Sequence, residues 1–378
     1  MKNAIVFFLF ALASCTIVEE IPETRVVTPN DHAFRPSNLA AFERRMEKLR
    51  NEYHIPSLSV GIVHNRKLAW YHGFGYADLE NKIAPDTNTV YQVASVTKTF
   101  GSIILMQLVE QGKVSLDDPI KKYDINLGAR WGNDPRIKVK HLLTHTAMGS
   151  WWNGYNAGFS FRYNGDWYGR LGKVIQKASG QSFGELLMHN IISPLQLKNT
   201  VPSLDDSANF ALTGYDRSEF AKRVAKPYNW QGHHLAPVHY RYSFGPAAGL
   251  MSSVGDLAIY SMAIDEQLFL QPSTWEKTFT SFKTPLGKKI PYGLGWFVVD
   301  YDGIPVMWHT GWWFGYSALF IKIPAKDLTF IVLANSQDLS RPFYFTMYPI
   351  PFPWFGANLN KDLMVSDFAR SFFEYFVR

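Results

Sequence analysis

Cysteine is almost missing from this chain: 378 residues hold one, Cys15. A single thiol excludes an internal disulfide, a Cys-based zinc site and an iron–sulfur cluster. Lysine and arginine form no run of the kind that tracks phosphates, so no nucleic-acid partner is expected. Their excess is mild, 38 against 32 Asp and Glu for a net charge of +6, the usual balance of a soluble surface. Internal repeats and low-complexity tracts are also absent. With 47% hydrophobic residues, and with 27 Gly and 21 Pro scattered along the chain, it is not disordered, collagen-like or coiled-coil. What is abundant is aromatic: 28 Phe, 19 Tyr and 12 Trp. The length exceeds the usual single-domain size, which leaves one two-lobed unit or two domains.

The apolar stretch 4–13 follows a single positive charge, Lys2, and is too short to cross a bilayer as a helix. This is the layout of an export signal. It ends Leu12-Ala13-Ser14-Cys15, which resembles a bacterial lipobox, where the thiol takes a diacylglyceryl group before cleavage in front of it. Ala11-Leu12-Ala13 also fits an ordinary small-residue cleavage site. Because the only cysteine sits where a lipobox needs it, residues 1–15 are read as a lipoprotein signal with Cys15 as the lipidation site. Several acyl chains on one residue would anchor the chain to a membrane. Thr16 stands where an inner-membrane retention signal would have Asp, so an exported, lipid-anchored protein of the outer membrane, facing the periplasm, is expected. Residues 16–36 read as a tether, and 37–378 as the folded body.

Within that body, Ser37 or Asn38 can cap a helix whose apolar positions Leu39, Phe42, Met46, Leu49 and Tyr53 recur at helical spacing. Residues 58–63 and 67–71 about Asn65 predict a β-hairpin. A helical pattern over 99–111 stops at Gly112. Short helices are predicted over 137–146, 171–178 and 183–192. Strands are predicted over 294–299, 317–323 and 328–334, and a closing helix over 362–376. The pattern predicts an α+β fold: one antiparallel sheet made from both chain ends, flanked by helices, with an inserted helical lobe over about 113–244.

Ser95 and Lys98 lie three apart where an irregular stretch enters the long apolar helix, so on its first turn they share a face. A serine nucleophile needs a base, and a lysine can serve once burial and the helix N-terminus lower its pKa. A Ser-x-x-Lys string is expected about once by chance in a chain this long, and this one stands at a helix start. His141 and His145 are four apart, but without a glutamate between them or a third ligand they are read as structural and no metal site is expected. Gly73-x-Gly75 lacks the third glycine of a nucleotide-binding loop. A Gly-x-Ser-x-Gly elbow of the α/β-hydrolase kind is not expected.

The stretch 73–112 resembles the penicillin-recognising serine hydrolases: class C β-lactamases, DD-peptidases and their esterase and D-aminopeptidase relatives. Further matching segments follow in order: 137–146, 171–175, Gly245-Pro246-Ala247-Ala248-Gly249-Leu250, Tyr292-Gly293-Leu294-Gly295-Trp296, and His309-Thr310-Gly311. The resemblance spans about 39–378 and implies a β-lactamase-like fold. It implies Ser95 as the acylated nucleophile and Lys98 as its proton-transfer partner. Tyr163, nine residues before Gly172 of a Leu-Gly pair, matches the tyrosine of the family's Tyr-x-Asn motif. Near two cationic groups its phenol could reach a phenolate-like state. The asparagine of that motif is Gly165 here, and Asn164, one residue early, is the candidate replacement in substrate binding. His309, Thr310 and Gly311 match a motif that is Lys-Thr-Gly in many β-lactamases. A histidine there would make the hold on a substrate carboxylate pH-sensitive. The amides of Ser95 and Trp312 are implied as the oxyanion hole.

Trp151, Trp152, Trp167, Trp312 and Trp313 fall beside these motifs and predict an aromatic-walled pocket, with Trp313 among the substrate-binding residues. The resemblance implies a serine hydrolase of β-lactamase, carboxylesterase or D-Ala-D-Ala carboxypeptidase type. Its substrate would be a small-molecule or short-peptide ester, β-lactam or D-amino-acid amide, with no cofactor. The alternative is a non-catalytic ligand sensor or envelope binding protein that kept the fold. The oligomeric state is not legible.

Overall fold

A computed structural model describes residues 34–128, 134–148, 156–231, 234–344 and 359–378. Cys15 and the signal, Trp151 and Trp152 lie outside the described residues. Helix α1 (Pro36–Glu52) buries Leu39, Phe42, Met46 and Leu49 along one face. It starts differently from expectation: Pro36 takes the first helical turn, where its missing N–H leaves nothing unpaired, and neither Ser37 nor Asn38 is the cap. Phe34 is buried against His64 and Phe376, so the folded body reaches into the stretch read as a tether. Strands β1 (Ser57–His64) and β2 (Leu68–Gly75) make the hairpin. Asn65 and Arg66 both take left-handed φ, 51° and 56°, a turn whose twist matches that of the strands.

Helix α2 (Thr97–Glu110) is buried along most of its length, as a central helix with apolar residues on all sides must be. Then come α3 (Val139–Leu143), shorter than the pattern over 137–146, and α4 (Gly165–Gly169), α5 (Leu171–Ser179) and α6 (Phe183–Leu187). One string here does fit the serine-elbow pattern, Gly180-Gln181-Ser182-Phe183-Gly184, contrary to expectation. It is a helix cap. The Ser182 hydroxyl accepts the Glu185 N–H at 3.1 Å while the Glu185 carboxylate accepts the Ser182 N–H at 2.6 Å.

Helix α7 (Val254–Asp265) precedes the meander β3 (Phe297–Tyr301), β4 (Ile304–Trp313), β5 (Tyr316–Ile323) and β6 (Leu328–Ala334). The chain then forms α8 (Arg341–Tyr344) and α9 (Asp367–Phe372). The six strands stand in the order β2-β1-β6-β5-β4-β3, every neighbour antiparallel, so both ends of the chain build one sheet. Alternation along the strands divides the core. Leu319, Ile321, Phe330 and Val332 face α1 and α9, whereas Ala318, Phe320, Ile331 and Leu333 join α2 and α7. Covering both faces explains why these strands are apolar at nearly every position.

One detail of the register prepares the site. Strand β3 accompanies β4 only from Tyr301↔Ile304 to Phe297↔Trp308. From His309 to Trp313, β4 pairs with β5 on one side and has no described strand on the other. Alternate backbone N–H groups of this stretch therefore have no strand partner among the described residues.

Candidate active site

Ser95 stands on a tight turn between the short strand Tyr91–Gln92 and α2. The turn requires Ala94 at φ 47°, a left-handed conformation unusual for alanine. Three bonds hold it there: the Gln92 side chain accepts the Ala94 N–H at 2.9 Å, Val93 accepts the Val96 N–H at 3.1 Å, and the Thr97 hydroxyl donates to Ala94 O at 2.6 Å. Strand β4 crosses close by. A Cβ on Gly311 would lie 2.2 Å from Val93 O, so only glycine lets the strand approach the serine turn.

Lys98 is 1% exposed. Its Nζ donates to Ser95 Oγ at 3.0 Å and to the Ala247 carbonyl at 2.8 Å, and lies 5.0 Å from the centre of the Tyr163 ring. Burial pulls the ammonium down to about 7, with the Asp166 carboxylate opposing. The carbonyl arrives through another close approach: a Cβ on Gly101 of α2 would sit 2.6 Å from Pro246 O, so that glycine lets the 245–249 turn rest on the helix. Gly165 stands where the family has asparagine. A Cβ there would be 3.9 Å from Lys98 Nζ, so the missing side chain is missing next to the lysine itself.

Tyr163 is buried, and its hydroxyl makes no hydrogen bond among the described residues. Burial pushes its phenol well up, with the Ser95 and Tyr344 hydroxyls opposing. The phenolate-like state expected from two cationic neighbours is therefore corrected: Tyr163 rests as a phenol. One of those neighbours is not a cation at all. His309 is fully buried, its Nδ1 within 2.7 Å of Thr310 O and its Nε2 within 3.0 Å of Tyr292 Oη. A carbonyl only accepts, so Nδ1 carries the proton and Nε2 accepts from the tyrosine. Burial, then the charge of Lys98, hold the imidazolium down to about 3. The expected pH-sensitive grip on a carboxylate is lost for the same reason, since a buried neutral ring offers no charge.

The other candidates divide. Thr310 spends its buried hydroxyl on Ser340 at 2.7 Å and Ala318 O at 3.2 Å. Asn164 is not spare either: its side-chain oxygen accepts the Trp167 N–H at 3.0 Å and caps α4. Trp312 and Trp313 are half-buried at the end of β4, Trp312 stacked on Tyr344 with centroids 5.1 Å apart and Trp313 beside Tyr240 at 5.7 Å. Trp167 is half-buried on α4. Beyond Tyr240 a groove of about 660 Å³, lined by residues such as Asp205, Lys226 and Tyr242, includes none of Ser95, Lys98 or Tyr163.

Sequence reasoning missed Tyr344, the Ala247 carbonyl and Tyr292. None carries a motif of its own. Tyr344 is one aromatic among many, and Ala247 and Tyr292 enter only as members of matched segments, Ala247 through its backbone alone. His141 and His145 each spend Nδ1 as an acceptor, from the Lys138 and Asn164 N–H groups, both at 3.1 Å. Among the described residues no cluster of His, Cys, Asp and Glu could hold a metal ion, and no helix is long and apolar enough to cross a membrane.

Comparison with known proteins agrees with this architecture. A family model described as Beta-lactamase matches residues 42–344. Protein flp of Staphylococcus aureus (strain MW2) is 25% identical over 315 residues, covering 75% of this chain and 60% of its own length. Penicillin-binding protein 4* of Bacillus subtilis (strain 168) is 24% identical over 315 residues, covering 72% of this chain and 66% of its own. The structure of the octameric penicillin-binding protein homologue from Pyrococcus abyssi matches with a TM-score of 0.68 at 26% identity, over 79% of this chain and 74% of that one. The chain thus spans about 60% of the length of the flp relative. A helix-flanked antiparallel sheet of β-lactamase type, with Ser95 and Lys98 on one buried turn, fits these matches: the chain belongs to the β-lactamase family of penicillin-recognising serine hydrolases.

Proposed function

We propose that this protein is a hydrolase that works through an acyl-enzyme on Ser95. The observation that carries this reading is the buried Lys98 amine, 3.0 Å from Ser95 Oγ and lowered to about 7, so that a large fraction is neutral near neutral pH. Ser95 Oγ attacks the substrate carbonyl carbon as its proton passes to Lys98 Nζ. The Ser95 and Trp312 amides, the latter at the end of β4, take the oxyanion. Collapse of the tetrahedral adduct breaks the bond to the leaving group, which takes a proton from the Tyr163 phenol, re-supplied from Lys98. Water then cleaves the acyl-enzyme by the reverse proton path.

Among substrates, esters with an apolar acyl or aryl group are favoured. Gly165 brings no amide donor, His309 brings no charge for a carboxylate, and Trp312, Trp313 and Tyr344 supply aromatic surface. Acylation by penicillin is the second reading, supported by the penicillin-binding names of two of the similar proteins. Intact mass after exposure to an aryl ester, a penicillin and a fluorophosphonate tests both, with Ser95→Ala as control. A serine-dependent adduct is expected; no adduct with any of the three overturns the reading in favour of a binding protein. We further propose that the chain is exported and held at the membrane, facing the periplasm, by a lipid on Cys15. Fatty-acid labelling that persists in Cys15→Ala would overturn that.

A further inference from the structure

We infer that His145 is a positioning residue that holds Tyr163 in place for proton transfer by gripping the chain on both sides of it. This rests on the acyl-enzyme reading above. The His145 carbonyl accepts the Arg162 N–H at 2.8 Å, and its Nδ1 accepts the Asn164 N–H at 3.1 Å. Between these two bonds the His145 ring packs on the Tyr163 ring, centroids 4.2 Å apart. One residue thus holds the backbone before and after the tyrosine and also its ring.

The grip depends on an unusual backbone. His145 lies at φ 54°, which brings its carbonyl and its ring to the same passing segment. The bend is strapped by the Thr144 and Thr146 hydroxyls, 2.8 Å apart, and by the Thr146 N–H on His141 O at 2.9 Å. The grip also needs a neutral ring, because an imidazolium has no lone pair for the Asn164 N–H. Burial, then the charge of Lys98, disfavour the imidazolium. With Nδ1 accepting, Nε2 carries the proton, and this buried N–H has no partner among the described residues. A buried donor left unpaired is disfavoured in a core chosen for stability alone, which argues for a histidine kept for its Nδ1.

The test is a leaving-group split. An alkyl ester expels an alkoxide that needs a proton from Tyr163, whereas a p-nitrophenyl ester expels an anion that does not. His145→Ala is expected to slow alkyl-ester turnover about 100-fold and p-nitrophenyl-ester turnover less than about 5-fold. His145→Asn is expected to restore the alkyl ester, since asparagine tolerates left-handed φ and its Oδ1 overlies Nδ1. Adding His145→Ala to Tyr163→Phe is expected to cost nothing further on the alkyl ester. Equal losses on both esters, or no loss, overturn the inference. Hydrogen exchange gives a readout without substrate: the Arg162 and Asn164 amides are expected to exchange at least about 10-fold faster in His145→Ala and near wild type in His145→Asn. Unchanged exchange overturns the grip itself. Wild-type protein that turns over neither ester and takes no fluorophosphonate overturns the acyl-enzyme reading instead, with exchange still reporting on the grip.

Discussion

The serine turn and the tyrosine segment meet at one site but are built in opposite ways. Around Ser95 the groups that hold the turn and the lysine are paired: Gln92, Thr97 and the Ala247 carbonyl each hold a stated atom, and Gly311 and Gly101 let neighbouring backbone close in. Around Tyr163 two buried polar atoms, its own hydroxyl and His145 Nε2, form no hydrogen bond of good geometry, although the Ser95 and Tyr344 hydroxyls stand close enough to the phenol to oppose its upward shift. A nucleophile benefits from arriving with its base already bonded. A proton donor must keep its hydroxyl free for an atom that appears only during the reaction. The contrast separates rigid preorganisation from reserved hydrogen-bonding capacity.

The contrast breaks most visibly at the lysine. Lys98→Met is expected to lower kcat/KM by about 10⁴-fold or more and to abolish the rise in activity centred on about pH 7, both read from pH–rate profiles. The same variant is expected to be more stable by about 0.5–2 kcal/mol in urea unfolding, because a desolvated amine is gone. The sign with pH follows. The folded lysine sits at about 7 and the unfolded one near 10.5, so between these values the unfolded chain binds the extra proton. Wild-type stability therefore rises with pH across that window through this group, and the Met variant lacks the rise.

Next in size, Tyr163→Phe is expected to reduce alkyl-ester turnover by about 10²–10³-fold with little change in stability, since the hydroxyl that is lost makes no well-formed hydrogen bond. Turnover unaffected by this change would show that the reserved hydroxyl serves nothing. Gly311→Ala is expected to destabilise by about 1–3 kcal/mol in urea unfolding, because its Cβ meets Val93 O and pushes β4 off the serine turn. Smallest, Asn164→Ala removes one cap from α4 and is expected to destabilise by about 0.5–1 kcal/mol with activity largely kept. A large activity loss there would return Asn164 to substrate binding.

Much of the sheet was legible because its apolar strands and turns are local patterns: β6 and β5 fall within a residue of the stretches read from the sequence. The ends of α1 and α3 were not. Pro36 overrode two good capping residues, and the bend at His145, which closes the stretch after α3, meets the segment 162–164 beyond an intervening loop. The string around Ser182 shows the converse. It carries a nucleophile's pattern, yet its hydroxyl is spent on a backbone N–H.

By itself the sequence determined which residues could do the chemistry, because three-residue spacing on a helical turn brings Ser95 and Lys98 to one face wherever that helix lies. Only the tertiary structure decided their protonation states. The neutral His309, the lowered Lys98, the Tyr163 phenol and the His145 grip all follow from burial and from bonds between segments distant in the chain. Desolvation and long-range hydrogen bonds depend on what surrounds a group in space, and a one-dimensional pattern does not contain that.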